Sequence, residues 1–372
     1  MYKSLLRPLL FRFDPERAHH LTLHALRMAA ALPFGTQFLQ ALFAVNDPRL
    51  AVEAFGLRFK NRLGLAAGYD KNGVAVRGLS ALGFGHIELG TVTRIPQPGN
   101  PKPRVHRMPE AQAVINSMGF PNEGVEALLA GRRTEDGRRR SSSSVSGLPS
   151  PVLGINIGKG KDTPVERAAE DYCGLLQQVA PYADYVAINI SSPNTLNLRQ
   201  LQAKSFLVQL LGEIARVRND GRRKTEDGSD AGSIPSSVIG HPSHLPLVVK
   251  IAPDLSEGEI DDVLDAIAQT GMDGIIATNT TLARDGLPDN ARQLKGGLSG
   301  APLTNRSTEV IRYIAKQTLG KLPIIGVGGI MTPQDAIDKF AAGATLVQVY
   351  TGMIYAGPSL VRDINKSSIS SR

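Results

Sequence analysis

The sequence predicts an α/β fold, a (β/α)8 TIM barrel with a small N-terminal helical extension, and three observations carry this. Eight short apolar runs recur from Leu63 onward with helical patterns between them, the alternation that closes a parallel sheet. Small polar residues and glycines stand at or just beyond the end of each run, where a barrel gathers its ligand groups. The first 46 residues follow a different, helix-turn-helix pattern.

In that extension, residues 1–46, Asp14-Pro15-Glu16 opens a helix with cap, proline and acid in the preferred order. Ala18, Leu21, Ala25, Ala29 and Leu32 then line one face. After Pro33-Phe34-Gly35, residues Phe34, Phe38, Leu39, Leu42 and Phe43 make a second, more apolar face, and Lys3, Arg7, Arg12, Arg17 and Arg27 flank both. Two readings stay open: a pair lying in a bilayer interface with its bases on the headgroups, or a hairpin packed on its own domain. The uncharged stretch Met28–Asn46 is broken by Pro33 and Gly35 and diluted by Thr36, Gln37 and Gln40, so no membrane span is expected. No signal or transit pattern is read either.

The barrel is expected over residues 47–372. Its strands fall at Leu63–Ala67, Phe84–Leu89, Val152–Ile155, Tyr185–Ile190, Leu247–Ile251, Gly274–Ala277, Ile324–Val327 and Thr345–Val349. Their rim carries Gly68-Tyr69-Asp70-Lys71, Gly90-Thr91, Asn156, Asn189 to Asn194, Lys250, Thr278-Asn279-Thr280, Gly328-Gly329 and Tyr350-Thr351. The fourth run empties into Ser191-Ser192-Pro193-Asn194, where hydroxyls and amides are held without a fixed charge nearby. A pocket of that kind suits proton abstraction from carbon.

Two segments look built for phosphate. Gly326-Val327-Gly328-Gly329 follows a strand, with Thr332-Pro333 opening the next helix, and Gly297-Leu298-Ser299-Gly300 offers a second glycine turn. The spacing is neither a dinucleotide fingerprint nor a Walker loop. Lys250, inside an apolar run, needs an acceptor or a shifted pKa, and Lys71 can clamp an anion; each also reads as an ordinary ion-pair partner. His19, His20 and His24 cluster without acidic partners on a shared face, so no metal is expected.

Composition narrows the class. The single cysteine, Cys173, excludes a disulfide framework and a cysteine metal cluster. The net charge of +8 is spread along the chain with few interleaved aromatics, so no nucleic-acid partner is expected.

The segments Leu65–Lys71, Glu88–Thr93, Pro96–Asn100, Ile115–Phe120, Asn189–Thr195, Lys250–Asp254 and Gly326–Ile330 together resemble dihydroorotate dehydrogenase in order and spacing, over nearly the whole chain. The resemblance is to the membrane-associated, quinone-reducing class, in which serine rather than cysteine is the base. It implies oxidation of dihydroorotate to orotate in pyrimidine biosynthesis, FMN as hydride acceptor and ubiquinone or a related quinone as final oxidant. Ser192 matches the catalytic base. Lys71, Asn116, Ser117, Met118, Gly119, Phe120, Asn189, Asn194, Asn279 and Thr280 match the substrate contacts. Ala67, Gly68, Tyr69, Asp70, Lys71, Thr91, Asn156, Asn189, Lys250 and Thr278 match the flavin contacts, with Gly300, Gly329, Tyr350 and Thr351 at its phosphate. His19, Arg107 and Tyr350 match the quinone site, and the extension becomes a membrane-resting quinone lid. A monomer on the cytoplasmic face of a bacterial inner membrane is the expectation that follows.

Departures are visible. Ser117 stands where many members carry arginine, and Thr195-Leu196-Asn197-Leu198-Arg199 replaces a proline-glycine turn, which puts the behaviour of that loop in doubt. Residues 131–149 and 221–244 read as mobile surface insertions that share the near-repeat Gly-Arg-Arg…Thr-Glu-Asp-Gly. Two rivals are a tRNA-reducing flavin barrel, which wants a cysteine acid near its flavin, and a catalytically idle flavin-binding scaffold.

Overall fold

The computed structural model describes residues 2–141, 150–226, 244–285 and 287–370. In chain order its strands are β1 (Val52–Ala54), β2 (Leu57–Phe59), β3 (Leu63–Leu65), β4 (His86–Val92), β5 (Val105–Met108), β6 (Ala113–Asn116), β7 (Val152–Ile157), β8 (Tyr185–Asn189), β9 (Leu247–Ile251), β10 (Gly274–Ala277), β11 (Gly297–Gly300), β12 (Ile324–Val327) and β13 (Leu346–Val349). Strands β3, β4, β7, β8, β9, β10, β12 and β13 close a parallel barrel, sealed where Val347 pairs Leu63. All eight expected runs are therefore its staves. Both faces of each are buried, which is why they read as unbroken apolar stretches and not as alternating ones.

The interior is filled from below. The β1–β2 hairpin sets Phe59 against His86, and Gly64 and Gly154 lie so close to the His86 imidazole and the Tyr185 ring that a Cβ there would sit 2.1 and 2.2 Å from them. Burial holds His86 neutral, its pKa lowered to about 3.

Strands β5, β6 and β11 form a separate antiparallel sheet, with Asn116 opposite Gly297. Gly297–Gly300 is thus a strand and not a free glycine turn, although Gly300, at φ +99°, still ends it in a sharp bend. Helix Gly124–Ser141 runs into the first expected insertion and helix Lys204–Glu226 into the second. The loop expectation for residues 142–149 and 227–243 lies outside the described residues.

The extension forms helices Tyr2–Leu6, Arg7–Leu10, Pro15–Ala31 and Gly35–Phe43. Asp14 caps the third, accepting from the Glu16 and Arg17 amides at 3.1 Å. Its packed face is Glu16, Ala18, Leu23 and Ala30, whereas Leu21 and Leu32 point outward. The face read from the sequence was rotated because alanines at helical spacing mark both sides of the true contact. Glu16 is the anchor, since its carboxylate takes two bonds from the buried Arg104. Toward the other end of the chain, Tyr2 donates to the Ile354 carbonyl, Arg7 to that of Tyr355, and Arg362 to that of Leu42. Leu5, Leu6, Leu9, Phe13, Leu21, Met28, Leu32, Phe34, Phe38 and Leu42 remain exposed on these helices. No described helix is long and apolar enough to cross a membrane.

Candidate active site

The C-terminal ends of the barrel strands surround a cleft, the place where this architecture gathers its ligand groups. Ser192, Lys71, Asn116, Met118, Gly119, Phe120, Asn189, Asn194, Asn279 and Thr280 all line it, as do Ala67, Gly68, Thr91, Lys250, Thr278, Gly300, Gly329, Tyr350 and Thr351. Four of the expected substrate and flavin contacts do not. Ser117 faces an adjoining cavity nearer the surface. Asn156 lies beneath the floor, bonded to Thr91 and Glu88. Tyr69 is buried edge-on between His19 and Tyr350. Asp70 accepts the Val74 and Ala75 amides at 2.8 Å, so its carboxylate shapes the loop instead of reaching a ligand.

The reactive segment begins where β8 ends. Ser192 is 5% exposed, and its Oγ accepts from the Asn194 amide at 3.2 Å. Asn194 Nδ2 donates to Asn116 Oδ1 at 3.1 Å, joining this loop to β6. Asn279 donates to Ser191 Oγ and to Asn189 Oδ1, and Asn189 in turn to Thr91 and Asn156. The amides thus hold one another in fixed orientations. Among buried polar atoms, Thr280 Oγ1, Asn194 Oδ1 and Thr195 Oγ1 have no protein partner. A polar ligand in the cleft would satisfy the Thr280 and Asn194 groups, which line it and are otherwise left unpaired at a cost of about 1–3 kcal/mol each, whereas Thr195 lines the adjoining cavity.

Charge at the site is sparse and matched. Lys71 donates to the Gly68 carbonyl, and desolvation, reinforced by Arg104 and opposed by Glu16, brings its amine down to about 8. Lys250 Nζ lies 3.8 Å from Glu88, a carboxylate with no exposed surface that also accepts from Asn156, Tyr185 and Gln348. Sequence reading passed over Glu88, although an acid in the middle of an unbroken apolar run was the signal. It also passed over Arg199, which donates to the Ser191 and Thr280 carbonyls and pairs with Asp254 at 2.7 Å, tying three rim loops together. The loop itself keeps a glycine-like bend, for Asn197 adopts φ +56°, a region asparagine tolerates.

The phosphate reading divides. Asp335 already accepts the Met331 and Thr332 amides at 2.9 and 2.8 Å, so the start of helix Pro333–Ala341 is capped from within and not open to an anion. Gly328 and Gly329 at positive φ, Gly300 and buried Thr351 still wall one end of the cleft. A Cβ on Gly329 would come within 2.3 Å of Thr304, so that wall admits only glycine.

Other sequence features fall outside the cleft. Arg107 donates to the Leu10, Phe11 and Phe13 carbonyls and stacks 4.5 Å over the Phe11 ring, fastening the turn before helix Pro15–Ala31. His19 is buried enough to be lowered to about 3. Cys173 sits on helix Ala168–Val179, its thiol raised to about 11 by burial, and does not line the cleft. Among the described residues no histidine, cysteine and acid cluster could hold a metal.

Comparison with known proteins agrees with this geometry. The chain is 46% identical to the dihydroorotate dehydrogenase (quinone) of Christiangramia forsetii over 366 residues, covering 98% of each. It is 48% identical to the same-named protein of Stutzerimonas stutzeri over 361 residues, covering 97% of this chain and 96% of that one. The crystal structure of the Eimeria tenella enzyme in complex with ferulenol superposes with a TM-score of 0.83 at 36% identity, over 96% of this chain and 91% of that one. The sequence pattern of the dihydroorotate dehydrogenase family matches residues 49–370, and the chain belongs to that family.

Proposed function

We infer that this protein oxidises dihydroorotate to orotate and delivers the electrons to a quinone, a step of pyrimidine biosynthesis. The observation that carries the reading is Ser192, a buried hydroxyl facing an asparagine-lined cleft, in a chain similar over nearly its full length to proteins named for this activity.

Ser192 Oγ takes the proton from C5 of the substrate. A lone hydroxyl is a weak base, so the step depends on excluding bulk water and on passing the proton onward. Thr195, three residues on, has a buried hydroxyl with no protein partner and is a candidate to receive it. Asn116, Asn189, Asn194 and Asn279 read the ring amides, Thr280 adds a hydroxyl, and Lys71 takes the carboxylate. The family is flavin-dependent, and FMN fits the donor set here: Ala67, Gly68, Thr91, Lys250 and Thr278 along the floor, with Gly300, Gly329, Tyr350 and Thr351 at the phosphate. Held by those residues, FMN would supply the acceptor for the hydride from C6 and the redox link to the quinone.

Residues 1–46 serve as the quinone lid. The relatives are named for a quinone, an acceptor that dissolves in lipid. The exposed apolar residues of the extension, flanked by Lys3, Arg12, Arg17 and Arg27, suit the interface of a bilayer. His19, Tyr69 and Tyr350 stack edge-on with centroids 5.1 and 5.5 Å apart, leading from the extension to the cleft. The protein then works as a monomer on the cytoplasmic face of a bacterial inner membrane. Ser192→Ala is expected to keep its yellow flavin and to be reduced by anaerobic dihydroorotate about 10²–10⁴-fold more slowly. An unchanged reduction rate in stopped flow overturns the base assignment.

A further inference from the structure

Outside the reactive cleft lies a second, more open cavity, and the two share Gly119 and Asn194. Its wall includes Pro193 to Asn197, the loop that carries Ser192, so this space adjoins the hydroxyl from the solvent side. Two of the residues lining it are charged, Lys161 and Lys295, and no acid lines it. Both lysines are exposed, and among the described residues neither forms an ion pair that would spend its charge.

Their placement is built. Gln97 accepts from the Lys161 amide at 3.1 Å and donates to the Gly119 carbonyl at 2.9 Å, so one side chain ties the Lys161 loop to a residue common to both cavities. Lys295 precedes Gly296, whose φ of +114° and 2.0 Å approach of a notional Cβ to the Asn116 carbonyl press the chain against the end of β6. Arg284 holds the Leu294 and Gly296 carbonyls on either side of Lys295. Asn100 completes the frame by donating to the Ser117 and Asn194 carbonyls. With Ser117 uncharged, these two ammonium groups are the cations of this antechamber.

We propose that Lys161 and Lys295 form an electrostatic gate that draws the anionic pyrimidine carboxylate through this cavity before Lys71 receives it, a claim that rests on dihydroorotate being the substrate. Like-signed charge around a cleft raises the encounter rate of an opposite charge, and salt weakens the effect. Neither lysine takes part in the chemistry; both act on arrival.

The test uses full-length, flavin-loaded enzyme and the double variant K161Q/K295Q, with dihydroorotate turnover and single-turnover flavin reduction followed from ~20 mM to ~500 mM NaCl. The expected result is a kcat/KM lowered about 5–10-fold at low salt and nearly independent of salt, while the wild type falls toward the variant as salt rises. The limiting flavin-reduction rate should stay within about twofold of wild type. A salt dependence as steep in the variant as in the wild type overturns the gate, as does a loss confined to the limiting rate. Wild type that does not turn over dihydroorotate refutes the substrate reading itself, a result distinct from either.

Discussion

Glu88 shows how much one side chain can organise. Its carboxylate accepts from three neutral donors on three other strands and faces the Lys250 ammonium, so a fifth strand is drawn in by charge. Glu88→Gln keeps the volume and removes the counter-charge, leaving a buried cation uncompensated; a loss of about 3–5 kcal/mol in denaturant unfolding is expected, and a loss under about 1 kcal/mol would show that the lysine does not need it. Lys71 makes a second prediction. With its pKa lowered to about 8, it is charged below that pH and neutral above. The kcat/KM for dihydroorotate should therefore fall as pH rises through about 8, and Lys71→Met should abolish that limb along with most substrate affinity. Residue-level reading from sequence expected Ser192, Lys71 and the asparagines at the rim, and they line the cleft, since polar groups at strand ends have few structural duties. It expected Asp70 there too, but that carboxylate is taken up by two nearby amides.

At the level of elements, the eight barrel strands were legible and the β5–β6–β11 sheet was not. Strands covered on both sides announce themselves as continuous apolar runs, but Val105–Met108 is half-buried throughout and Gly297–Gly300 is half glycine, so neither pattern emerged. That sheet matters, since it delivers Asn116 and Gly300 to the cleft. Helix Pro15–Ala31 hangs on a polar anchor, Glu16 with Arg104, that hydrophobic periodicity cannot reveal. Arg104→Met should release the helix: turnover with a short-chain quinone should drop several-fold more than reduction of a soluble dye, and limited proteolysis should cut first within residues 2–43. Equal losses with both acceptors would mean that Arg104 supports the flavin site instead.

For the molecule as a whole, the buried imidazole of His86 sets an acid limit. Its folded pKa of about 3 lies below the ordinary 6.5, so the unfolded chain binds the extra proton between those values and stability falls as pH drops from about 6.5 toward 3. From His86 alone, unfolding at pH 5 should be easier by about 2 kcal/mol than at pH 7, and His86→Phe should remove that share while leaving the similar one from His19. The fastening of Tyr2, Arg7 and Leu42 to Ile354, Tyr355 and Arg362 reaches further still, across more than three hundred residues. During synthesis the greasy leading helices leave the ribosome long before the segment that receives them exists. Helix Pro15–Ala31 can meet Arg104 early, but the bonds of Tyr2, Arg7 and Leu42 stay open until Ile354, Tyr355 and Arg362 have been made.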